Sequence, residues 1–168
     1  MLSKALVTAL NKQVNAEFYA SNLYLQMSAW CAHKGLPGCA GFLHRQSAEE
    51  MGHMQRLFKY VAETGALAAV GTIQAPPTDY KSVQDVFEQT FTHELEVTNM
   101  IFKLLDSATA EKDYSTLNFL QWYVAEQHEE ESLFRTIMDK LKIIGTDGRG
   151  LFFFDREMGE LAKAHPGA

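Results

Sequence analysis

Cysteine and proline are scarce in this chain, with two and four residues respectively among 168. Two cysteines cannot build a disulfide framework, and Cys31 and Cys39 are not spaced as a C-x-x-C pair, so thiolate zinc sites and rubredoxin-type modules are excluded. They read as reduced thiols of a cytoplasmic protein, with a bridge between the two as the alternative. Positive charge is also short: 15 Lys and Arg against 21 Asp and Glu give a net charge of −6. That balance argues against nucleic acid and anionic membrane as partners, since both are held through clustered basic residues. No stretch approaches the ~20 apolar residues of a membrane span. The opening MLSKALVTALNKQ has no apolar core followed by a small-residue cleavage site, so no secretory signal is expected.

What is present is helical periodicity. Apolar residues recur every three to four positions over about 4–33, 38–64, 83–111 and 115–143, and no period-2 strand stands out. Gly35 and Pro37, Gly65, and Gly145 punctuate the ends. Ser82 with Asp85 resembles a capping-box start for the third helix. A short fifth helix is expected within 147–164, ending near Pro166. Residues 66–82, ALAAVGTIQAPPTDYKS, form a long linker with a double proline. Seventeen extended residues reach ~56 Å, more than the ~42 Å of a 28-residue helix. The linker can therefore run the length of a bundle and leave helices two and three parallel. The expected fold is all-α, a ferritin-like four-helix bundle with one long crossover and a short C-terminal helix, in one domain over 1–168.

The inward stripes carry polar residues near their middles. The first helix reads Leu6, Leu10, Val14, Glu17, Ser21, Tyr24, Ser28, and the second Leu43, Gln46, Glu50, His53, Leu57, Tyr60. The third reads Phe87, Thr90, Glu94, Val97, Ile101, Leu105, and the fourth Leu120, Tyr123, Gln127, Glu130, Phe134, Ile137, Leu141. Glu17 and Glu50 lie 33 positions apart, as do Glu94 and Gln127, and each pair is equidistant from its predicted turn. Residues equidistant from the turn of an antiparallel hairpin come level, so all four helices aim ligand-type groups at one height. Glutamates buried without a basic partner on the same stripes need protons or a metal ion, because an isolated buried carboxylate is too costly. A mixed carboxylate and imidazole set without thiolate suits iron or manganese, with zinc a further occupant.

The segments NAEFYASNLYLQMSAW, FLHRQSAEEMGHMQRLF, HELEVTNMI and NFLQWYVAEQHEEESLF together resemble the ferritins, most closely the bacterial non-haem type, from end to end. The resemblance implies a ferroxidase and iron store: Fe(II) is oxidised by dioxygen or peroxide at a diiron centre and kept as ferric mineral in a homo-oligomer of 24 subunits. By position, Glu17, Glu50 and His53 are implied as ligands of one iron, and Glu50, Glu94 and Glu130 of the second, with Glu50 bridging. Gln127 is implied as a polar neighbour. Tyr24 is implied as a hydrogen-bond partner or electron donor, against the reading of a satisfied core tyrosine.

The run AEQHEEES over 125–132 then divides. Gln127 and Glu130 face the core, whereas Glu126 and Glu129, with Glu49 and Glu130, are expected either to surround a third iron or to form a solvated acidic flank. Glu131 is expected outward. Gln127 and Glu130 stand where bacterioferritin keeps Glu-x-x-His, so a haem-binding bacterioferritin-like store is the alternative reading, and a diiron peroxidase another. Met51 falls where bacterioferritin ligates haem; packing is expected instead, and no haem. Trp122 is either an electron carrier or a packing residue. His33, His44, His93, His128 and His165 lack metal spacing and are expected at the surface or core edge. Leu117 and Leu120 are expected at the turn that resembles a three-fold pore.

Overall fold

The computed structural model describes residues 2–164. The expected roles of His165 and Pro166 lie outside the described residues. Five helices follow in order: α1 (Lys4–His33), α2 (Pro37–Glu63), α3 (Val83–Ala110), α4 (Tyr114–Ile144) and α5 (Gly148–Ala164). There is no strand among the described residues.

Local chemistry explains most of the boundaries. Ser3, Ser82 and Asp113 accept the backbone N–H groups of Leu6, Asp85 and Thr116, which would otherwise be unpaired in the first turns of α1, α3 and α4. Asp85 reaches back to the Lys81 N–H at 2.9 Å, one residue beyond the expected box. After α1, Gly35 turns to φ +79° and lets Leu36 N–H bond Cys31 O while its own N–H bonds Ala32 O. The same two-bond closure ends α3, but there Lys112 occupies the left-handed position at φ +56°.

Ser21 and Ser47 exchange hydroxyl-to-carbonyl bonds of 2.7 Å, which draws the α1 and α2 backbones together. Ser28 bonds Ala40 O further along, so residue order runs oppositely on the two helices. Tyr24 meets Glu94 and Met27 meets Thr90, so α1 is antiparallel to α3 as well. Helices α2 and α3 are therefore parallel, and the linker must cross the bundle. Two asparagines one turn apart on α1 seat it: Asn11 bonds Leu67 O and Ala69 N, and Asn15 bonds Ala69 O and Gly71 N. Trp30 holds the far end through Asp79 at 3.2 Å.

The core is split in two. Tyr24, Met27, Phe42, Phe87, Phe134 and Phe154 pack at one end, and Leu10, Val14, Leu57, Ile101, Leu120 and Tyr123 at the other. The carboxylate layer lies between them. Two ends of the stripes are corrected: Tyr60 and Leu105 are half-buried, and Leu104 faces the core in place of Leu105. Leu120 is fully buried, so it lines no pore, and Leu117 is half-buried.

Helix α5 seats on the start of α2. Leu36 offers no capping side chain there, and Asp155 of α5 accepts the Gly38 and Cys39 N–H groups at 3.1 and 2.8 Å instead. A Cβ at Gly38 would fall 1.8 Å from the Asp155 carbonyl oxygen, so only glycine permits this approach.

Candidate metal centre

Glu17, Glu50, His53, Glu94, Gln127 and Glu130 are all buried, and each helix of the bundle contributes at least one of them. Ligand atoms of Glu17, Glu50 and His53 lie within 4.8 Å of one another. His53 Nδ1 is 3.1 Å from Glu50 Oε2. Across the layer, Tyr24 donates its hydroxyl hydrogen to Glu94 Oε1, and Gln127 Nε2 lies 3.2 Å from Glu94 Oε2. Both pairings inferred from residue spacing are thus met: Glu17 adjoins Glu50, and Gln127 adjoins Glu94.

The supporting partners were harder to foresee. Gln13 donates to Glu17 Oε1 at 2.8 Å, and Gln46 reaches Glu130. Gln13 precedes Glu17 by one helical turn, and that i,i+4 spacing is the signal that finds it, whereas Gln46 shows only as a polar residue on the inward stripe and its partner lies 84 positions away. Tyr123 bonds the His53 carbonyl at 2.8 Å and ties α4 to the backbone of α2.

The electrostatics are those of buried carboxyls that need protons or a cation. Burial raises the Glu17 carboxyl to about 7 against the hydrogen bond from Gln13, and the Glu94 charge adds to the rise. Burial first, then the neighbouring carboxylates, push Glu50 and Glu130 well above the ordinary range. Burial raises Glu94 too, although the hydrogen bonds from Tyr24 and Gln127 oppose it. Burial lowers His53 to about 4, helped by the Arg56 charge, so its ring is neutral near pH 7 and has a lone pair to give. Burial likewise holds Tyr24 well above its usual range, as a hydroxyl donor. Glu17 Oε2 and Glu50 Oε1 are buried with no hydrogen-bond partner. Unpartnered carboxyl oxygens in a core call for a proton or a cation.

A second group forms on the flank, where ligand atoms of Glu49, His53 and Glu126 lie within 4.8 Å. Glu49 and Glu126 are half-buried, whereas Glu129 is exposed and stands outside this group. Glu131, expected outward, is half-buried and accepts from Thr98 at 2.7 Å. His93 sits at the core edge with its ring against Tyr19 and Tyr24. Trp122 stacks between the edge of His53 and the Arg56 guanidinium, 4.3 Å above its ring. Met51 is half-buried and packs on the core cluster of Leu10, Leu57 and Leu120. Cys31 and Cys39 are buried free thiols, Cys31 raised to about 12 by burial.

A bundle with one long crossover and an interior layer of glutamates and histidine defines the class of ferritin-like carboxylate proteins. Residues 7–144 match the family model of the ferritin-like domain. A probable bacterial non-heme ferritin-like protein of Haemophilus influenzae is 54% identical over 162 residues, spanning 96% of this chain and 98% of its own length. A bacterial non-heme ferritin of Escherichia coli is 48% identical, over 96% and 98%. The crystal structure of an open-pore ferritin from Archaeoglobus fulgidus superposes with a TM-score of 0.92 at 41% identity, covering 95% and 98% of the two chains. The chain belongs to the ferritin family, among its bacterial non-haem members. No helix among the described residues is long and apolar enough to cross a membrane.

Proposed function

We propose that this chain is an iron-storage ferritin whose bundle interior oxidises Fe(II). The observation that carries the reading is the pair of buried, unpartnered oxygens Glu17 Oε2 and Glu50 Oε1 beside the His53 ring. Fe(II) is the substrate here, and its charge replaces the protons that a metal-free layer must retain. Glu17, Glu50 and His53 hold one ion; Glu50, Glu94 and Glu130 hold the second, with Glu50 common to both.

Each ion gives up one electron, and dioxygen or peroxide accepts the two. Hard carboxylate oxygens favour the ferric product over the ferrous substrate, which drives the reaction forward. Tyr24 and Gln127 fix the two oxygens of Glu94 from α1 and α4, so this carboxylate is oriented before an ion arrives. Glu49, Glu126 and Glu129, with Glu130, serve a third ion on the flank, for which Glu129 must turn inward from its exposed position. The ferric product leaves for the cavity of a 24-subunit shell, in the cytoplasm, and no haem takes part.

Anaerobic addition of Fe(II) followed by oxygen, with particle size measured on the same sample, tests the reading. The expected result is rapid oxidation of two Fe(II) per chain in a particle near twenty-four times the 18.9 kDa chain mass. Slow, unsaturable oxidation in an assembled particle, or a monomer or dimer at ordinary salt, would overturn it.

A further inference from the structure

His53 stands between two carboxylate groups, and each ring nitrogen faces a different one. Nδ1 lies 3.1 Å from Glu50 Oε2, and Nε2 lies 3.8 Å from Glu126 Oε1. The same ring is therefore the member shared by the core group and the flank group. A neutral imidazole has one N–H and one lone pair. His53 can offer its lone pair to one group only, and its hydrogen must then point at the other.

The ring has little freedom to evade this choice. Trp122 meets it edge-on at 5.4 Å and Tyr123 at 6.3 Å, and the Tyr123 hydroxyl holds the His53 carbonyl. What remains variable is the tautomer. With Nδ1 bonded to a cation among Glu17 and Glu50, the hydrogen sits on Nε2, and the carboxylate oxygen facing it is Glu126 Oε1. At 3.8 Å this separation is longer than a hydrogen bond, and about 1 Å of movement closes it. Glu126 has that latitude, because its side chain is 20% exposed on the flank.

We propose that Glu126 is a positioning residue for His53: it accepts the Nε2 hydrogen and so keeps the Nδ1 lone pair turned into the core. A carboxylate behind a metal-bound histidine fixes the ring's tautomer and strengthens it as a ligand. The proposal rests on the core being an Fe(II) site, but it assigns Glu126 an effect on the first core ion that a flank ligand alone would not have. It also couples the two groups. A cation held between Glu49 and Glu126 draws on the carboxylate that orients His53, so loading the flank loosens the hold on the core ion.

The test uses the assembled, chelator-stripped protein with Zn(II) as a redox-inert probe. Calorimetric titration gives the affinity of the first ion, and the solid-state 15N spectrum of histidine-labelled protein reports which ring nitrogen carries hydrogen. Glu126→Ala is expected to weaken the first ion by about 10-fold to 100-fold and to change the Nε2–H signal of the loaded protein. Glu126→Gln keeps a carbonyl acceptor and is expected to recover most of the affinity and the wild-type signal. Glu63→Ala, an exposed carboxylate of α2 outside both groups, is expected to alter neither.

Wild-type affinity and spectrum for the first ion in Glu126→Ala, with only a weaker ion lost, would overturn the proposal and leave Glu126 as a flank ligand. An equal loss in Glu63→Ala would overturn it in favour of bulk charge. Absence of Zn(II) binding by the wild-type core would remove the metal-centre reading itself, and this proposal with it.

Discussion

The amide nitrogen of Gln46 lies 3.1 Å from both carboxylate oxygens of Glu130, so one residue of α2 spans the whole carboxylate head of an α4 residue. Arg45 holds the other end of that amide, donating to Gln46 Oε1 at 2.8 Å, which orients the nitrogen toward the core. Without a cation, Gln46 is the hydrogen-bond partner on which Glu130 relies. Gln46→Leu should therefore destabilise the metal-free protein by about 1–3 kcal/mol, the cost of a buried acceptor left unpaired. Saturating Zn(II) should shrink the difference, because the cation then serves Glu130. Thermal unfolding of both proteins, stripped and loaded, measures it; an equal deficit in both states would mean that Gln46 acts through packing alone.

Glu50 is the residue common to both proposed ions, and its loss should separate chemistry from folding. Glu50→Ala is expected to abolish the fast phase of Fe(II) oxidation. Removing one of several repelling buried carboxylates offsets the small cavity left behind, so stability should change by about 1 kcal/mol or less. Stopped-flow oxidation paired with particle sizing checks both halves. An unaltered initial rate in an intact particle would locate the oxidation elsewhere.

The metal-free protein should lose stability as pH rises above about 6.5. Glu17 has a folded value of about 7 against 4.5 for the free side chain, so the folded state binds more protons between those values. That contribution is complete below 4.5 and disappears as pH climbs through 7. Glu50, Glu94 and Glu130 are raised in the same direction. His53 opposes them at lower pH: lowered to about 4 from 6.5, it makes the unfolded state the better proton binder between those values. Above 6.5 its opposition ends and the carboxylates act alone. The unfolding midpoint of stripped protein should fall between pH 6.5 and 8, and Zn(II) should flatten the slope.

Gly38 should be the position at which α5 is most sensitive to a single methyl group. A Cβ there meets the Asp155 carbonyl oxygen and also comes within 3.0 Å of Gly159 N, both backbone atoms without side-chain freedom. Gly38→Ala must push α5 away and weaken the Asp155 bonds at the start of α2, at a cost of about 2–4 kcal/mol. Gly41, one turn further along α2, meets nothing within 4 Å. Gly41→Ala is accordingly expected to be neutral or to stabilise by up to about 1 kcal/mol. Unfolding curves of the pair separate the local clash from a general intolerance of alanine.

The bundle and the height of its polar layer were legible in the residues alone. Helix ends agree with the periodic segments to within about one residue, because Gly35, Gly65 and Gly145 all adopt φ near +80° immediately beyond a helix. The levels of Glu17 with Glu50 and of Glu94 with Gln127 followed from hairpin geometry, which depends only on counting from a turn. The linker's length already allowed the parallel placement of α2 and α3.

Other features depended on distances between elements far apart in the chain. A helical stripe gives a direction good to about one residue, or 100° of rotation, and the edges of the stripes are where the expectations shifted. Leu104 displaced Leu105, Glu131 turned partly inward, and Glu129 stayed exposed. Asp155 capping α2 from 116 positions beyond Cys39 has no local signature at all. Periodicity, turns and chain length sufficed for the helices and for the level at which carboxylates gather, and they allowed the crossover. That Gln46 spans Glu130 and that the two nitrogens of His53 face separate carboxylates emerged on packing alone, because both depend on how closely α2 and α4 approach and on which way side chains rotate once packed.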